Sequence, residues 1–221
     1  MQKGDFVYIK YIGKVKESGE IFDLTEEEIA KKEGIYNPEF KYGEVPVIVG
    51  AGYLIKGLDE ELEKMNIGEK KVVEILPEKA FGNRREDLIK LIPESEFKKQ
   101  NIEPRVGEFV NINGVSGRIV SISGGRVKVD FNHPLAGKTL IYEIEITRQV
   151  LDLKEKVYCI LKYFSNLDEN SAKVNIENET VEIETKDIKI ASRLKEEIAI
   201  NIFKWINEIK RVKFSEIFEK K

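Results

Sequence analysis

The chain predicts an α+β protein: a curved antiparallel sheet around one short helix, interrupted by a small all-β module and followed by a further α+β unit. Three observations carry this expectation. Residues 139–146 alternate, with Leu140, Tyr142, Ile144 and Ile146 on one side and Glu143 and Glu145 on the other, the pattern of an antiparallel strand buried on one face. Leu58, Leu62 and Met65 stand at i, i+4 and i+7, so they share one face of a helix. Between Asn83 and Phe131 the pattern changes to short β-rich runs separated by Asn113-Gly114 and Gly124-Gly125, dipeptides that favour hairpin turns. One helix layered on one curved sheet is an α+β arrangement.

Taken in order, Phe6 to Tyr11 opens a strand rich in β-branched and aromatic residues, and Ser18-Gly19 reads as a hairpin turn. Thr25 and Glu28 read as a capping box starting a helix, with Leu24 and Ile29 as the hydrophobic staple. Asn37-Pro38 ends that excursion, and Pro46 to Val49 is a short strand closed by Gly50. The helix over 57–65 comes next, then a strand over 71–76 stopped by Pro77. In the middle module, Pro93 to Lys98 predicts a turn or two of helix, and strands follow over 107–112, 117–122 and 126–131. Beyond Val150, Tyr158-Cys159-Ile160-Leu161 reads as an apolar strand, residues 173–177 and 180–184 as a hairpin, and 187–209 as one helix. Apolar residues occupy nearly the whole circumference of that last helix, including Ile198, Ile202, Phe203, Trp205 and Ile206. Such a helix needs partners on more than one side. Two arrangements satisfy it: a contact with a second copy of the chain, or a sandwich between the preceding hairpin and residues 212–218.

Composition excludes several classes. The chain has 221 residues, 41% hydrophobic and 35% charged, with a net charge of −3. No basic face is evident, which argues against nucleic acid as a partner. No apolar run approaches the ~20 residues that span a bilayer, and Met1 to Asp5 lacks the apolar stretch of a signal peptide. The single Cys159 precludes an internal disulfide, and a cytoplasmic location is expected. No glycine pair is followed by the Lys-Ser/Thr of a phosphate loop. His133 is the one histidine and reads as a loop residue, and the chain end from Phe214 carries no His or Cys, so neither metal nor cofactor is expected.

Lys10-Tyr11-Ile12-Gly13, Gly19-Glu20-Ile21-Phe22-Asp23, Leu54-Ile55-Lys56-Gly57-Leu58, Met65-Asn66-Ile67-Gly68-Glu69, Ala80-Phe81-Gly82 and Asn132-His133-Pro134-Leu135-Ala136-Gly137 follow one another in order. In that order and spacing they resemble the FKBP-type peptidyl-prolyl isomerases. The break between Gly82 and Asn132 resembles the SlyD-like and long archaeal branch, where a chaperone (insert-in-flap) domain interrupts the isomerase. The resemblance implies an FKBP-like isomerase domain from residues 1–83 and 132–150, an inserted domain over 84–131, and a C-terminal α+β domain over 151–221 that carries no motif. It also implies a catalytic pocket of Tyr11, Phe22, Asp23, Leu54, Ile55, Leu58, Phe81, Leu135 and Tyr142.

Two positions depart from many family members. Leu58 stands where a Trp floor is common, although Leu is usual in the SlyD-like branch, and Phe81 stands where a Tyr can hydrogen-bond a ligand carbonyl. Both put tight macrolide binding in doubt. By the same resemblance the insert would hold unfolded or partly folded polypeptides with X–Pro bonds on apolar residues drawn from Phe97, Ile102, Val106, Phe109, Ile112, Ile119, Ile122 and Phe131; alternatively these form its own small core. The rival to an isomerase is a holdase that binds proline-containing segments without turnover. The C-terminal unit would serve homodimerisation, further client binding or docking to a larger assembly.

Overall fold

The computed structural model of the protein describes residues 1–218; the last three residues of the expected C-terminal unit lie outside them. The first sheet is built from β1 (Phe6–Val15), β2 (Ile21–Leu24), β3 (Val45–Ile48), β4 (Lys70–Ile75) and β9 (Leu140–Val150), in the order β2-β1-β9-β4. Strand β1 serves two partners along one edge: Phe6 to Ile9 pair with β3, and Ile12 to Lys14 pair with β2. Its other edge runs antiparallel to β9 from Phe6↔Val150 to Val15↔Leu140. The register shifts at Tyr8/Ile9 against β9 and at Gly13/Lys14 against β2. Bulges of this kind bend a strand and increase its twist.

Helix α2 (Lys56–Leu62) lies on one face of this sheet. Leu58, Leu62 and Met65 are buried there among Val7, Ile9, Val47, Val49, Val73, Ile75, Leu140, Tyr142, Ile144 and Ile146. Each such side chain contributes about 1.5–3 kcal/mol relative to exposure. Gly57 is required for this close approach, because a Cβ there would lie 2.5 Å from Ile75 Cγ2. The alternation predicted for 139–146 is realised, with Leu140, Tyr142, Ile144 and Ile146 all buried.

Helix α1 (Glu27–Lys32) forms, but without the expected capping box. Its N-cap is Glu26, with no side-chain cap bond. Thr25 is buried and engages β1 instead: its Oγ1 accepts from Tyr11 N at 3.0 Å and donates to Tyr11 O at 3.3 Å. A long-range partner for a buried hydroxyl has displaced the local cap.

Within the middle of the chain, β5 (Ile89–Pro93), β6 (Phe109–Ile112), β7 (Val115–Ser123) and β8 (Arg126–Asp130) form a separate sheet, order β5-β8-β7-β6, with α3 (Glu94–Lys99) beside it. Both predicted turns have positive φ at both residues, Asn113 and Gly114, and Gly124 and Gly125, as two-residue hairpins of matching twist require. Strand β5 was not foreseen. Phe97, Val110, Ile112, Ile119, Val127 and Val129 form the core of this sheet, whereas Leu91, Val106, Phe109, Val115 and Val120 are exposed. At the junction with the first sheet, Arg84 donates from Nε and Nη2 to Asp130 Oδ2 at 3.0 and 2.6 Å. Asn132 brackets the backbone of Arg85, accepting from its N at 2.8 Å and donating to its O at 2.9 Å. Gly137 N donates to Gly82 O at 2.8 Å.

The remainder comprises α4 (Leu153–Ser165), β10 (Ala172–Glu177), β11 (Thr180–Lys186), α5 (Ser192–Trp205) and β12 (Arg211–Ile217). Strand β11 pairs antiparallel with β10 and parallel with β12. Tyr158 to Leu161 is helical rather than a strand: α4 is N-capped by Asp152, whose Oδ1 accepts from Glu155 N at 2.8 Å, and ends at Asn166 in the left-handed region. Its residues Val157 to Leu161 are all buried, so α4 is the helix with partners on every side. It packs against α5, β10 and β3. Helix α5 is shorter than the predicted 187–209, because Asp187 takes a positive φ and the helix starts at Ser192. Ile198, Ile202 and Ile206 are buried, Trp205 is half-buried, and Ile200 and Phe203 are exposed. Among the described residues no helix is long and apolar enough to cross a membrane.

Candidate active site

The site forms where the bulged half of β1 meets β2, β9 and the start of α2. Successive side chains of a strand point to opposite faces, so Ile9, Tyr11 and Gly13 share the face that carries α2. Tyr142 on β9 is buried at the centre. Tyr11 meets it with ring centroids 5.9 Å apart, and Phe22 meets it edge-on at 5.8 Å. These are the separations at which aromatic rings attract. Gly13 makes the arrangement possible: a Cβ there would lie 2.8 Å from Phe22 Cζ and 3.1 Å from Tyr142 Cε1. The sequence marks Gly13 only as part of a motif, and its spatial reason is visible in the fold alone.

Asp23 follows Phe22 on β2 and is exposed at the rim. Its Oδ2 accepts a 2.9 Å hydrogen bond from the Tyr11 hydroxyl. Burial, reinforced by the nearby Asp23 charge, holds the Tyr11 phenol far above the ordinary tyrosine range, and the same two causes act on Tyr142. Both therefore keep their protons at any physiological pH, and Tyr11 is a permanent donor to Asp23.

Leu54 and Ile55 come from the loop between β3 and α2, and Leu58 from the first turn of α2. Leu58 is 1% exposed and lies in the cluster against which Leu54 and Ile55 pack. The loop is tied down by Asp59, whose carboxylate accepts from Gly50 N at 2.7 Å and Gly52 N at 2.9 Å. Both glycines have φ above +70°, which L side chains rarely adopt. Phe81 and Leu135 come from the two chain crossings that flank residues 84–131. Phe81 stacks on His133 at 4.2 Å and 3°, and His133 Nδ1 accepts from Leu135 N at 3.1 Å. His133 thus orders both crossing residues. Composition presents it only as a lone loop histidine.

All nine expected residues come together. Tyr11, Phe22, Leu54, Ile55, Phe81 and Leu135 are half-buried against one cluster that contains Leu58 and Tyr142, and Asp23 joins through Tyr11. Cys159 stands apart in the other large cluster, and burial pushes its thiol up to about 12. It holds no thiolate for nucleophilic work. Among the described residues no group of three or more His, Cys, Asp or Glu is placed to hold a metal ion. What these residues present is a half-buried apolar surface with one carboxylate beside it.

Comparison with known proteins bears on the same residues. A family profile described as "FKBP26, IF domain" matches residues 90–135. The "Short-type peptidyl-prolyl cis-trans isomerase" of Methanocaldococcus jannaschii is 40% identical over 146 residues, covering 66% of this chain and 92% of that protein. The "Probable FKBP-type 16 kDa peptidyl-prolyl cis-trans isomerase" of Pseudomonas fluorescens is 38% identical over 103 residues, 44% of this chain and 67% of that protein. The "FKBP-type peptidyl-prolyl cis-trans isomerase SlyD" of Aeromonas hydrophila is 33% identical over 134 residues, 59% of this chain and 56% of that protein. With the motif residues gathered at one apolar site and these relatives covered to this extent, the chain belongs to the FKBP-type peptidyl-prolyl cis-trans isomerases and has SlyD-like features.

Proposed function

We propose that this chain accelerates folding by isomerising X–Pro bonds at the Tyr11–Phe22–Asp23–Leu54–Ile55–Leu58–Phe81–Leu135–Tyr142 site, while residues 84–131 act as an inserted chaperone domain that holds the client. The observation that carries the reading is the packing of Tyr11 and Phe22 on Tyr142, with the Tyr11–Asp23 bond at the rim. Rotation about a peptide bond meets a barrier of about 18–20 kcal/mol, because the amide loses resonance as it twists. Water stabilises the planar, charge-separated form through its carbonyl. An apolar wall that displaces this water favours the twisted amide, and a fixed dipole such as Asp23 adds to it. No proton transfer, cofactor or metal is needed. Phe81 offers no hydroxyl, so it contributes to the apolar wall and not as a donor to a ligand carbonyl.

Three features support the rest of the proposal. Exposed Leu91, Phe109, Val115 and Val120 on the middle sheet, with Val106 in the turn before β6, would bind unfolded or partly folded polypeptides. Exposed Ile200 and Phe203 on α5 would meet a second copy, giving a homodimer through the C-terminal unit. A cytoplasmic location accords with the single, buried Cys159. A non-enzymatic holdase is the alternative.

Measured on an X–Pro peptide, Phe22→Ala is expected to lower kcat/KM by about tenfold, the loss of roughly 1.5 kcal/mol of aromatic wall. Asp23→Asn is expected to lower it less, since it removes only the rim charge. Circular dichroism checks that both variants fold; the opposite ranking would mean that electrostatics at Asp23 dominate.

Replacing residues 84–131 by a short loop is expected to preserve peptide turnover. Catalysis of proline-limited protein refolding should fall by about tenfold or more, because tethering the client raises its effective concentration at the site. Equal loss of both activities counts against the division of labour. Refolding that needs stoichiometric protein identifies a holdase.

In sedimentation, the full chain is expected to be a dimer at micromolar concentration, burying about 1,200–2,000 Å². Ile200→Glu with Phe203→Glu should yield a monomer. A monomeric unaltered chain rules the contact out.

A further inference from the structure

We propose that the C-terminal unit is part of the positioning apparatus of the isomerase site, through a clamp on Tyr53 that sets the wall residues Leu54 and Ile55. The inference rests on the assignment of Leu54 and Ile55 to the pocket. Tyr53 immediately precedes them in a loop without regular secondary structure. Its ring lies parallel to that of Tyr163 on α4, with centroids 3.8 Å apart and 11° between planes. Phe164 meets it edge-on at 5.8 Å, and Tyr163 and Phe164 meet each other edge-on at 5.0 Å. The Tyr53 hydroxyl donates to Asn201 Oδ1 on α5 at 3.1 Å. Asn201 Nδ2 in turn donates to Glu197 O at 2.9 Å, which orients its amide so that the oxygen faces Tyr53. Two helices and both ends of the tyrosine therefore take part.

A clamp positions something only if its own frame is fixed to the sheet, and here it is. Phe6, Ile48 and Val150 of the first sheet are buried in one cluster with Val157, Cys159, Ile160, Ile198 and Ile202, and Ala51 and Tyr53 pack against it. Arg148 on β9 pairs with Glu155 on α4 at 2.6 Å and lies 3.9 Å over the Tyr8 ring. The loop is thus held at its start by Asp59 on Gly50 and Gly52, at its end by α2, and in between by Tyr53. Tyr53 is directed to the C-terminal unit, while Leu54 and Ile55 are directed to the cluster around Leu58. A small displacement of a wall has a large effect on rate, since about 1 Å of misplacement can cost on the order of a hundredfold.

The test uses the full chain. Tyr163→Ala removes the stacking partner, and Tyr163 is 46% exposed, so folding should survive. The expected result is a fall in kcat of about threefold to tenfold with a smaller change in KM, because Phe22 and Tyr142 still hold the substrate. The methyl NMR signals of Leu54 and Ile55 should shift while that of Ile119 in the middle sheet stays put, and Tyr163→Phe should restore both readouts. Asn201→Ala, which removes only the hydroxyl's acceptor, should give a smaller effect in the same direction and serves if Tyr163→Ala does not fold. Unaltered kcat with unmoved Leu54 and Ile55 signals overturns the clamp. So does lost activity with unmoved signals, or a Tyr163→Phe variant as impaired as Tyr163→Ala. Leu54→Ala separates the two levels: if it lowers turnover while the Tyr163 and Asn201 variants do not, the clamp alone falls. If Leu54→Ala leaves turnover intact, the pocket assignment falls and the clamp with it.

Discussion

Both faces of one short stretch of sheet are buried, and the rest of the molecule is arranged around that constraint. Along β1, Val7 and Ile9 point to α2 and the site, while Phe6 points to the C-terminal unit, with Tyr8 packed beside it. Strand β3 and the residue after it repeat the division, with Val47 and Val49 on one side and Ile48 on the other. An antiparallel sheet ordinarily leaves one face to water. Here α4 and α5 cover it, so residues 151–218 are a layer of the fold and not an appendage to it. The cost of baring Phe6, Ile48 and Val150, of order 1.5–3 kcal/mol each, ties the isomerase sheet to the C-terminal helices.

The same strand then delivers the chemistry. Past the bulge, β1 contributes Tyr11 for the rim bond and Gly13 for the space into which Phe22 and Tyr142 fit. The rings assemble because one position lacks a side chain. The two tyrosines keep their protons, held above their ordinary range by burial, and the one cysteine lies in another core. On the proposed reading, such a site works by shape and dryness, and its precision depends on how firmly its walls are held.

Much of this was legible in the sequence, and the remainder failed for identifiable reasons. The alternation over 139–146 and the Leu58–Leu62–Met65 stripe record a one-sided core directly, and the motif residues from Tyr11 to Tyr142 meet one apolar cluster. Tyr158 to Leu161 misled because four apolar residues in a row fit a buried strand and a helix buried all round equally well; the Asp152 cap and Asn166 terminus were the available signals. Thr25 misled because a local capping pattern cannot report that β1 will claim the hydroxyl. The 187–209 pattern blended two elements, since nothing in Asp187 announces its left-handed backbone. Gly13, His133 and Tyr53 owe their roles to neighbours distant in sequence, which single-chain periodicity does not encode.

The central claim is that an apolar, proton-silent site turns an X–Pro bond. Exchange NMR on a short X–Pro peptide with substoichiometric full-length chain tests it most directly, repeated in H₂O and D₂O. The account predicts accelerated cis–trans exchange whose rate is the same in both solvents. No acceleration at substoichiometric protein, or a rate that slows severalfold in D₂O, would contradict it.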